Sequence, residues 1–329
     1  MCPMLCMLPI LLTCGVIWVV NRLLRRRTLP AGGKAVFITG CDRGFGETLA
    51  SQLALEGYIV YAGCLDPNSD GARILHNNSR ITVLHVDVTN QQSVNDVRYV
   101  LEQQLADKGL WAVVNNAGVA VFAETEWCTM EAYERVLGVN LLGTIRVSQA
   151  LLPLVRKARG RLINISSLAG RVALPGFTAY SASKFGVIGF SDSLRREMFK
   201  FGVKVITIEP KLYRTAIADS DFHAQTNQRM WTAAADGVKV DYGDTYFRAF
   251  IDNMLKNLKR SSRKTYQVTD DLMHATSAKY PYTRYVPNAK IQVLSDMFMV
   301  SSNLFQDYVL NRLLRVPCVP FSMRSRRPT

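Results

Sequence analysis

The stretch Ala35-Val36-Phe37-Ile38-Thr39 constrains this 329-residue chain more than any other, because it runs without a break into Gly40-Cys41-Asp42-Arg43-Gly44-Phe45-Gly46 and then a helical pattern. A short apolar run with no alternation marks a strand buried on both faces, and such strands belong to parallel sheets covered by helices on either side. The same theme repeats downstream. Strands are expected at 58–62, 81–86, 112–114, 161–165 and 203–208, with helices at 47–55, 91–104, 130–157 and 179–201 between them. This alternation predicts a single-domain α/β fold, a doubly wound parallel sheet of Rossmann type over 34–290. Its ligand crevice is expected at the carboxyl ends of the strands. Residues 216–275 are polar and helix-prone and read as a substrate-binding insertion.

A chain of this size buries roughly three quarters of its unfolded surface, so its core needs no staples. The seven cysteines (Cys2, Cys6, Cys14, Cys41, Cys64, Cys128, Cys318) are odd in number and contain no CxxC pair, which fits reduced thiols rather than a disulfide framework or a zinc site. His76, His85, His223 and His274 are scattered without ligand spacing, so no metal is expected. The net charge of +14 is uneven: ten of these charges lie in residues 1–34 and 308–329, which carry no acid. That distribution argues against a nucleic-acid-binding face and for two basic ends beside something anionic.

Residues 1–20 contain no charged side chain, and Arg22, Arg25, Arg26 and Arg27 follow at once. A secretory signal would carry its charge before the apolar stretch, so 1–21 reads as a membrane anchor and 22–33 as a basic linker. An apolar helix lying on the membrane or packed on the body is the alternative. The positive-inside rule puts the body in the cytosol. Asn77-Asn78-Ser79 is a glycosylation acceptor that tests this orientation. The segment 291–329, apolar then basic, reads as a second membrane-associating element.

Glycines at a strand-to-helix turn let the backbone approach a pyrophosphate, whose charge the helix amino terminus favours. Farther on, Tyr180 and Lys184 are four residues apart and share one helix face. A free phenol titrates near pH 10. A neighbouring ammonium favours the phenolate, which makes Tyr180 a candidate general acid and base for alcohol–carbonyl interconversion.

Thr39-Gly40-x-x-x-Gly44-x-Gly46, Asn115-Asn116-Ala117-Gly118, Asn140, Ser167 and Tyr180-x-x-x-Lys184 together resemble the short-chain dehydrogenase/reductase family. The stretches around them are similar to the branch of membrane-bound retinol dehydrogenases, hydroxysteroid dehydrogenases and mitochondrial 3-hydroxybutyrate dehydrogenase. The resemblance implies that Tyr180 exchanges the hydroxyl proton and that Ser167 binds the substrate oxygen. It also implies that Lys184 lowers the tyrosine pKa and binds the nicotinamide ribose, while Asn140 holds a relay water. For the cofactor it implies Thr39, Gly40, Arg43, Gly44, Phe45, Gly46, Asp66, Asp87, Asn115, Ala117, Gly118, Tyr180, Lys184, Pro210 and Thr215. A small lipophilic alcohol or ketone, a membrane and a homo-oligomeric partner follow from it too. The compartment it implies is the endoplasmic reticulum, with the mitochondrial membrane as alternative.

Two positions depart from the family pattern. Lys211 follows Pro210 where the family has glycine, and loss of glycine's conformational freedom there is expected to reshape the nicotinamide wall or impair catalysis. Arg43 precedes Gly44 where the branch has serine, and a cation there suits the 2′-phosphate of NADP. Asp66, at the end of the second strand, would repel that phosphate or bond the ribose hydroxyls. The branch uses NAD, and NAD is the cofactor expected, with NADP left open.

Overall fold

The computed structural model describes residues 20, 22–105 and 107–323. The anchor expected at 1–21 therefore lies outside the described residues except for Val20, as does the end of the basic tail. Among the described helices, only Met130–Lys157 is long and apolar enough to cross a membrane, and it packs on the sheet through Val147, Leu151, Leu154 and Val155.

Seven parallel strands form one sheet in the order β3-β2-β1-β4-β5-β6-β7. They are β1 (Ala35–Thr39), β2 (Ile59–Cys64), β3 (Ile81–His85), β4 (Ala112–Asn115), β5 (Arg161–Ile165), β6 (Lys204–Ile208) and β7 (Arg284–Tyr285). The chain winds outward from β1 to β3, then returns to β4 on the other side of β1. Backbone loops diverge at that reversal, which leaves the crevice in which such sheets bind ligands.

Strand alternation divides the apolar side chains between two layers. Val36 and Ile38 of β1 face one layer with Leu49, Leu53, Val268 and Leu272. Ala35 and Phe37 face the other with Val97, Leu101, Leu151 and Leu194. Helices α1 (Phe45–Leu55) and α9 (Tyr266–Ser277) cover the first face. Helices α3 (Gln91–Leu105), α4 (Met130–Lys157) and α5 (Thr178–Met198) cover the second. Between these layers β1, β2 and β4 are buried on both faces, which is why they read as nearly unbroken apolar runs.

Three differences from the sequence reading have physical causes. Helix α2 (Asp70–His76) was not foreseen because its seven residues are too few for a periodic signal. Strand β7, only two residues long, has none at all. The end of the segment read as an insertion is a core element: Val268, Leu272 and Ala275 of α9 are fully buried under the sheet. The helices α6 (Ser220–Ala233), α7 (Asp236–Tyr242) and α8 (Asp244–Lys259) form a third cluster above the strand ends. There Trp127 meets Trp231, Tyr242 and Phe250 edge to face at 5.5, 5.2 and 5.3 Å.

The basic linker is stitched to the body. Arg25 offers its carbonyl to His274 Nε2 at 2.8 Å, and its guanidinium donates to the Pro281 carbonyl at 2.8 Å. The same guanidinium lies 4.2 Å from the centre of the Tyr282 ring. The Leu29 amide donates to the Ser277 carbonyl and the Lys279 amide to the Arg27 carbonyl, each at 2.8 Å. All these contacts lie at the amino-terminal edge of the sheet.

Candidate active site

A cleft of about 1210 Å³ opens along the carboxyl ends of β1 to β6. Its first wall is the turn after β1. Gly40 and Gly44 have φ of +69° and +74°, the left-handed region that L side chains avoid. A side chain at Gly40 would come within 2.9 Å of the Ala117 Cα. The turn is held from behind. Thr39 Oγ1 accepts from the Asn116 and Ala117 amides at 3.0 Å, and Asn116 Nδ2 donates to the Thr39 and Gly40 carbonyls at 2.8 and 2.9 Å. Helix α1 then begins with no side chain capping its amino terminus. Phe45 and Glu47 of that first turn line the cleft. Its free amides and dipole are what a pyrophosphate needs, so these residues fit a dinucleotide.

The reactive end is built by β5, α5 and the exit of β6. Ser167 follows β5, and its Oγ accepts from the Ala169 amide at 3.1 Å. Its hydroxyl donates to the Pro210 carbonyl at 3.2 Å, and it stands close enough to the Tyr180 phenol to favour the phenolate. Tyr180 stands on α5, edge-on to Phe122 at 5.8 Å. Lys184, one turn on, donates to the Ile165 carbonyl at 2.9 Å. Asn140 sits in a π-helical segment of α4, Gly138–Gly143. Its side chain is fully used: it accepts from the Val119 amide at 2.8 Å and donates to the Val119 carbonyl and Ser183 Oγ, both at 2.9 Å. Ser183 in turn donates to the Tyr180 carbonyl at 2.7 Å.

Burial sets the electrostatics here. It pushes the Tyr180 phenol up to about 12 against the lowering hydrogen bond from Ser167, and it brings the Lys184 ammonium down to about 8. In the protein by itself burial, and not Lys184, dominates the shift of the tyrosine. Desolvation of both groups outweighs their proximity, and the ammonium is directed at a carbonyl rather than at the phenol. Desolvation also raises the Cys64 thiol to about 12 and moves Cys41 upward, so neither is a nucleophile.

Of the residues expected at the cofactor, Gly40, Arg43, Gly44, Phe45, Asp66, Asp87, Ala117, Gly118, Tyr180, Lys184, Pro210 and Thr215 line the cleft, as does Ser167. Thr39, Gly46, Asn115 and Asn140 do not; they support it from behind. Gly46 packs where any side chain would strike the Gly40 carbonyl. Asn115 joins the strands by donating to Asn164 Oδ1 at 2.8 Å and Ser148 Oγ at 3.0 Å. Asp87 faces the cleft while accepting from the Thr89 amide and hydroxyl at 2.8 and 2.7 Å, so it is also a strand-end cap. Lys211 lines the cleft with an ordinary backbone: among the described residues, only Arg159 and Asn288 carry positive φ without being glycine. The lost glycine therefore leaves no positive φ at this position, and what Lys211 adds to the cleft wall is its side chain.

Sequence reasoning missed Asn116, which locks the glycine turn, and Asp42, whose carboxylate accepts from the Leu65 and Asp66 amides at 3.2 and 2.8 Å. It also missed Glu124, Arg135 and His223 in the substrate lobe, where they mingle with Phe122, Phe177, Phe222, Phe250 and Met254. Burial raises the Glu124 carboxyl even though the Tyr246 hydroxyl donates to it at 2.6 Å, and burial lowers His223. No periodic or motif signal marks these residues, because only the tertiary fold collects them.

Comparison with known proteins agrees with this geometry. The family model for short chain dehydrogenases matches residues 34–226. Mouse retinol dehydrogenase 5 is 42% identical over 295 residues, covering 87% of this chain and 91% of that one. Bovine mitochondrial D-beta-hydroxybutyrate dehydrogenase is 42% identical, covering 78% of each. Rat 17-beta-hydroxysteroid dehydrogenase type 6 is 43% identical, covering 77% of this chain and 80% of its own. A solved short-chain dehydrogenase from Streptomyces avermitilis shares the fold, with a TM-score of 0.67 at 20% identity, covering 85% of this chain and 98% of that one. The glycine turn, the Ser167, Tyr180 and Lys184 cluster and these relatives together make the chain a member of the short-chain dehydrogenase/reductase family, an oxidoreductase that interconverts an alcohol and a carbonyl with a nicotinamide dinucleotide.

Proposed function

We propose that this protein is an NAD-dependent, membrane-attached dehydrogenase of a lipophilic alcohol, a hydroxysteroid or a retinol. The observation that carries the reading is the junction at Ser167 and Tyr180. These two hydroxyls end a cleft whose outer lobe is walled by Phe122, Phe177, Phe222, Phe250, Met254 and Val316. A lobe walled mainly by these apolar side chains favours a bulky apolar substrate, with the two hydroxyls placed to orient its oxygen.

When bound, the dinucleotide supplies or takes the hydride. Ser167 turns its hydroxyl from Pro210 to the substrate oxygen, and the Ala169 amide behind its Oγ makes it a better donor. Tyr180 gives the proton in reduction and takes it in oxidation. A phenol held near 12 keeps its proton at neutral pH, and both as acid and as base it needs added positive charge beside it to bring its pKa toward the working range. Lys184, which lines the cleft, would hold the nicotinamide ribose, and Asn140 steadies the Tyr180 turn through Ser183. Asp66, which lines the cleft after β2, would bond the ribose hydroxyls of NAD, while Arg43 is the residue that would admit NADP.

Attachment of the body to a membrane is supported by the basic linker and by the helices α10 (Ala289–Met299) and α11 (Asn303–Leu313). Their Leu294, Met297, Leu304 and Tyr308 side chains are more than half exposed. Leu314 and Val316, which follow, line the cleft. The compartment proposed is the endoplasmic reticulum with the body cytosolic; a glycan on Asn77 in cells would overturn that orientation. A homo-oligomer is supported by exposed Leu142 and Phe185 on α4 and α5.

A second reading, a 3-hydroxybutyrate-type substrate in a mitochondrial membrane, is favoured by Arg135 and Lys211, cations that line the cleft and would pair a carboxylate. The deciding experiment is initial rates of membranes holding the protein, with NAD or NADP, on retinol and hydroxysteroids beside 3-hydroxybutyrate. Turnover of the lipophilic alcohols with NAD is expected. Turnover of 3-hydroxybutyrate alone would give the case to the second reading.

A further inference from the structure

Glu209 is fully buried at the end of β6, one residue before the carbonyl that holds Ser167. Its Oε1 accepts from Thr207 Oγ1 at 2.7 Å and from Arg284 Nη1 at 3.3 Å. Its Oε2 lies 3.0 Å from Arg171 Nε. Arg171 closes the short turn that begins at Ser167: its amide donates to the Leu168 carbonyl at 2.9 Å. The Leu168 amide, in turn, donates to the Pro210 carbonyl at 3.0 Å. Arg284 also pairs with Asp192, which stands on α5 with Tyr180 and Lys184. One carboxylate thus ties together the three elements that present Ser167, Tyr180 and Pro210.

A charge taken wholly out of water is costly, and removing its partners is costlier still, so such a group holds its geometry strictly. The acidic groups facing Arg171 and Arg284 are Glu209, Asp192 and Asp296; Asp296 on α10 accepts from Arg171 Nη1 at 2.7 Å. Asp192 and Asp296 are partly exposed, and only Glu209 lies behind the Ser167 turn.

We propose that Glu209 is a positioning residue for Ser167: held between Arg171 and Arg284, it locks the Ser167–Arg171 turn against the Pro210 carbonyl and so sets the direction of the Ser167 hydroxyl. It never meets the substrate. The role rests on the proposed function in that Ser167 orients the reacting oxygen. A second of its consequences, a rigid turn, exists with no substrate present.

The test compares Glu209→Gln, which keeps the Thr207 contact and removes the charge, with Arg171→Gln, which opens the same bridge from its more exposed side. Amide hydrogen exchange of the unliganded proteins is read over residues 166–172. Both variants are expected to speed exchange of the Leu168 and Ala169 amides at least tenfold, while exchange in the buried strands stays slow. Unchanged exchange in the one that folds overturns the lock, whether or not any alcohol is turned over. On a substrate of the wild-type protein, kcat is expected to fall by roughly 10- to 100-fold with the KM for the dinucleotide unchanged, the signature of a misdirected reacting group. An unaltered kcat with a lower melting temperature would assign Glu209 to stability alone. A wild-type protein silent on every alcohol would count against the proposed function, with the exchange result still deciding the lock.

Discussion

The Lys184 ammonium donates to the Ile165 carbonyl at 2.9 Å and lies 5.6 Å from the centre of the Tyr180 ring, so the two residues share a helix face without sharing a proton. Both are buried and both are held toward their neutral forms. At neutral pH the unliganded site thus keeps a protonated phenol beside an ammonium that loses its proton only near pH 8, and positive charge brought closer to the phenol is what would convert Tyr180 into a base.

Replacing Tyr180 with phenylalanine removes the proton carrier and little volume. Turnover is expected to fall at least a thousandfold, a loss of about 4 kcal/mol or more of transition-state stabilisation. Dinucleotide affinity, read by fluorescence of the reduced cofactor, is expected to change less than threefold. Retained turnover would remove Tyr180 from the chemistry.

Lys184 gives a stability signature whose sign follows from its lowered pKa. Below about 8 the folded state must keep a buried ammonium, and between about 8 and the ordinary 10.5 the unfolded chain binds the extra proton. Stability contributed by this group therefore rises with pH across that window, by on the order of 3 kcal/mol if no other site intervenes. Lys184→Met is expected to gain stability over wild type at pH 7 and to lose that advantage near pH 10. Denaturant melts at both pH values check it; a constant difference would mean that the ammonium is not desolvated.

Gly71 packs helix α2 onto the glycine turn, where a methyl group would strike the Asp42 carbonyl. Gly71→Ala is expected to destabilise the fold by roughly 1–3 kcal/mol. Because Asp42 also grips the Leu65 and Asp66 amides, dinucleotide binding should weaken in parallel. Calorimetric melting together with cofactor titration distinguishes this from a purely local effect.

Cofactor choice turns on Arg43 against Asp66. Asp66→Asn removes the negative charge that faces a 2′-phosphate, and the ratio of kcat/KM for NADP over NAD is expected to rise about tenfold, equivalent to roughly 1.4 kcal/mol. Arg43→Ala should move the ratio the other way. Parallel kinetics with both dinucleotides decide the matter.

Much of this was legible in the chain before any coordinates. Of the six foreseen strands, five announce themselves through burial on both faces and the edge strand β3 through its apolar Ile81, Val83 and Leu84, and the glycine turn declares itself through residues that only close packing requires. Asn115 shows where that reading stops. Its neighbour Asn116 is chemically identical, and only the direction of each side chain out of β4 decides which one reaches the Gly40 carbonyl. Lys211 marks another limit: the sequence shows that a family glycine is missing, and only the fold shows that the chain reaches Thr215 without positive φ. Glu124, Arg135 and His223 were invisible because they come from three separate segments.

The stitched linker has a geometric consequence. Arg25 and Leu29 are fastened at the edge of the sheet where the strands begin, whereas the cleft and the exposed helices α10 and α11 lie where the strands end. Strands of two to six residues separate those edges. A bilayer gripping both ends would have to run alongside the sheet, with the strands lying flat in its plane. The entrance would then open sideways along the lipid surface, so that an alcohol dissolved in the leaflet would reach Ser167 by lateral diffusion without crossing water.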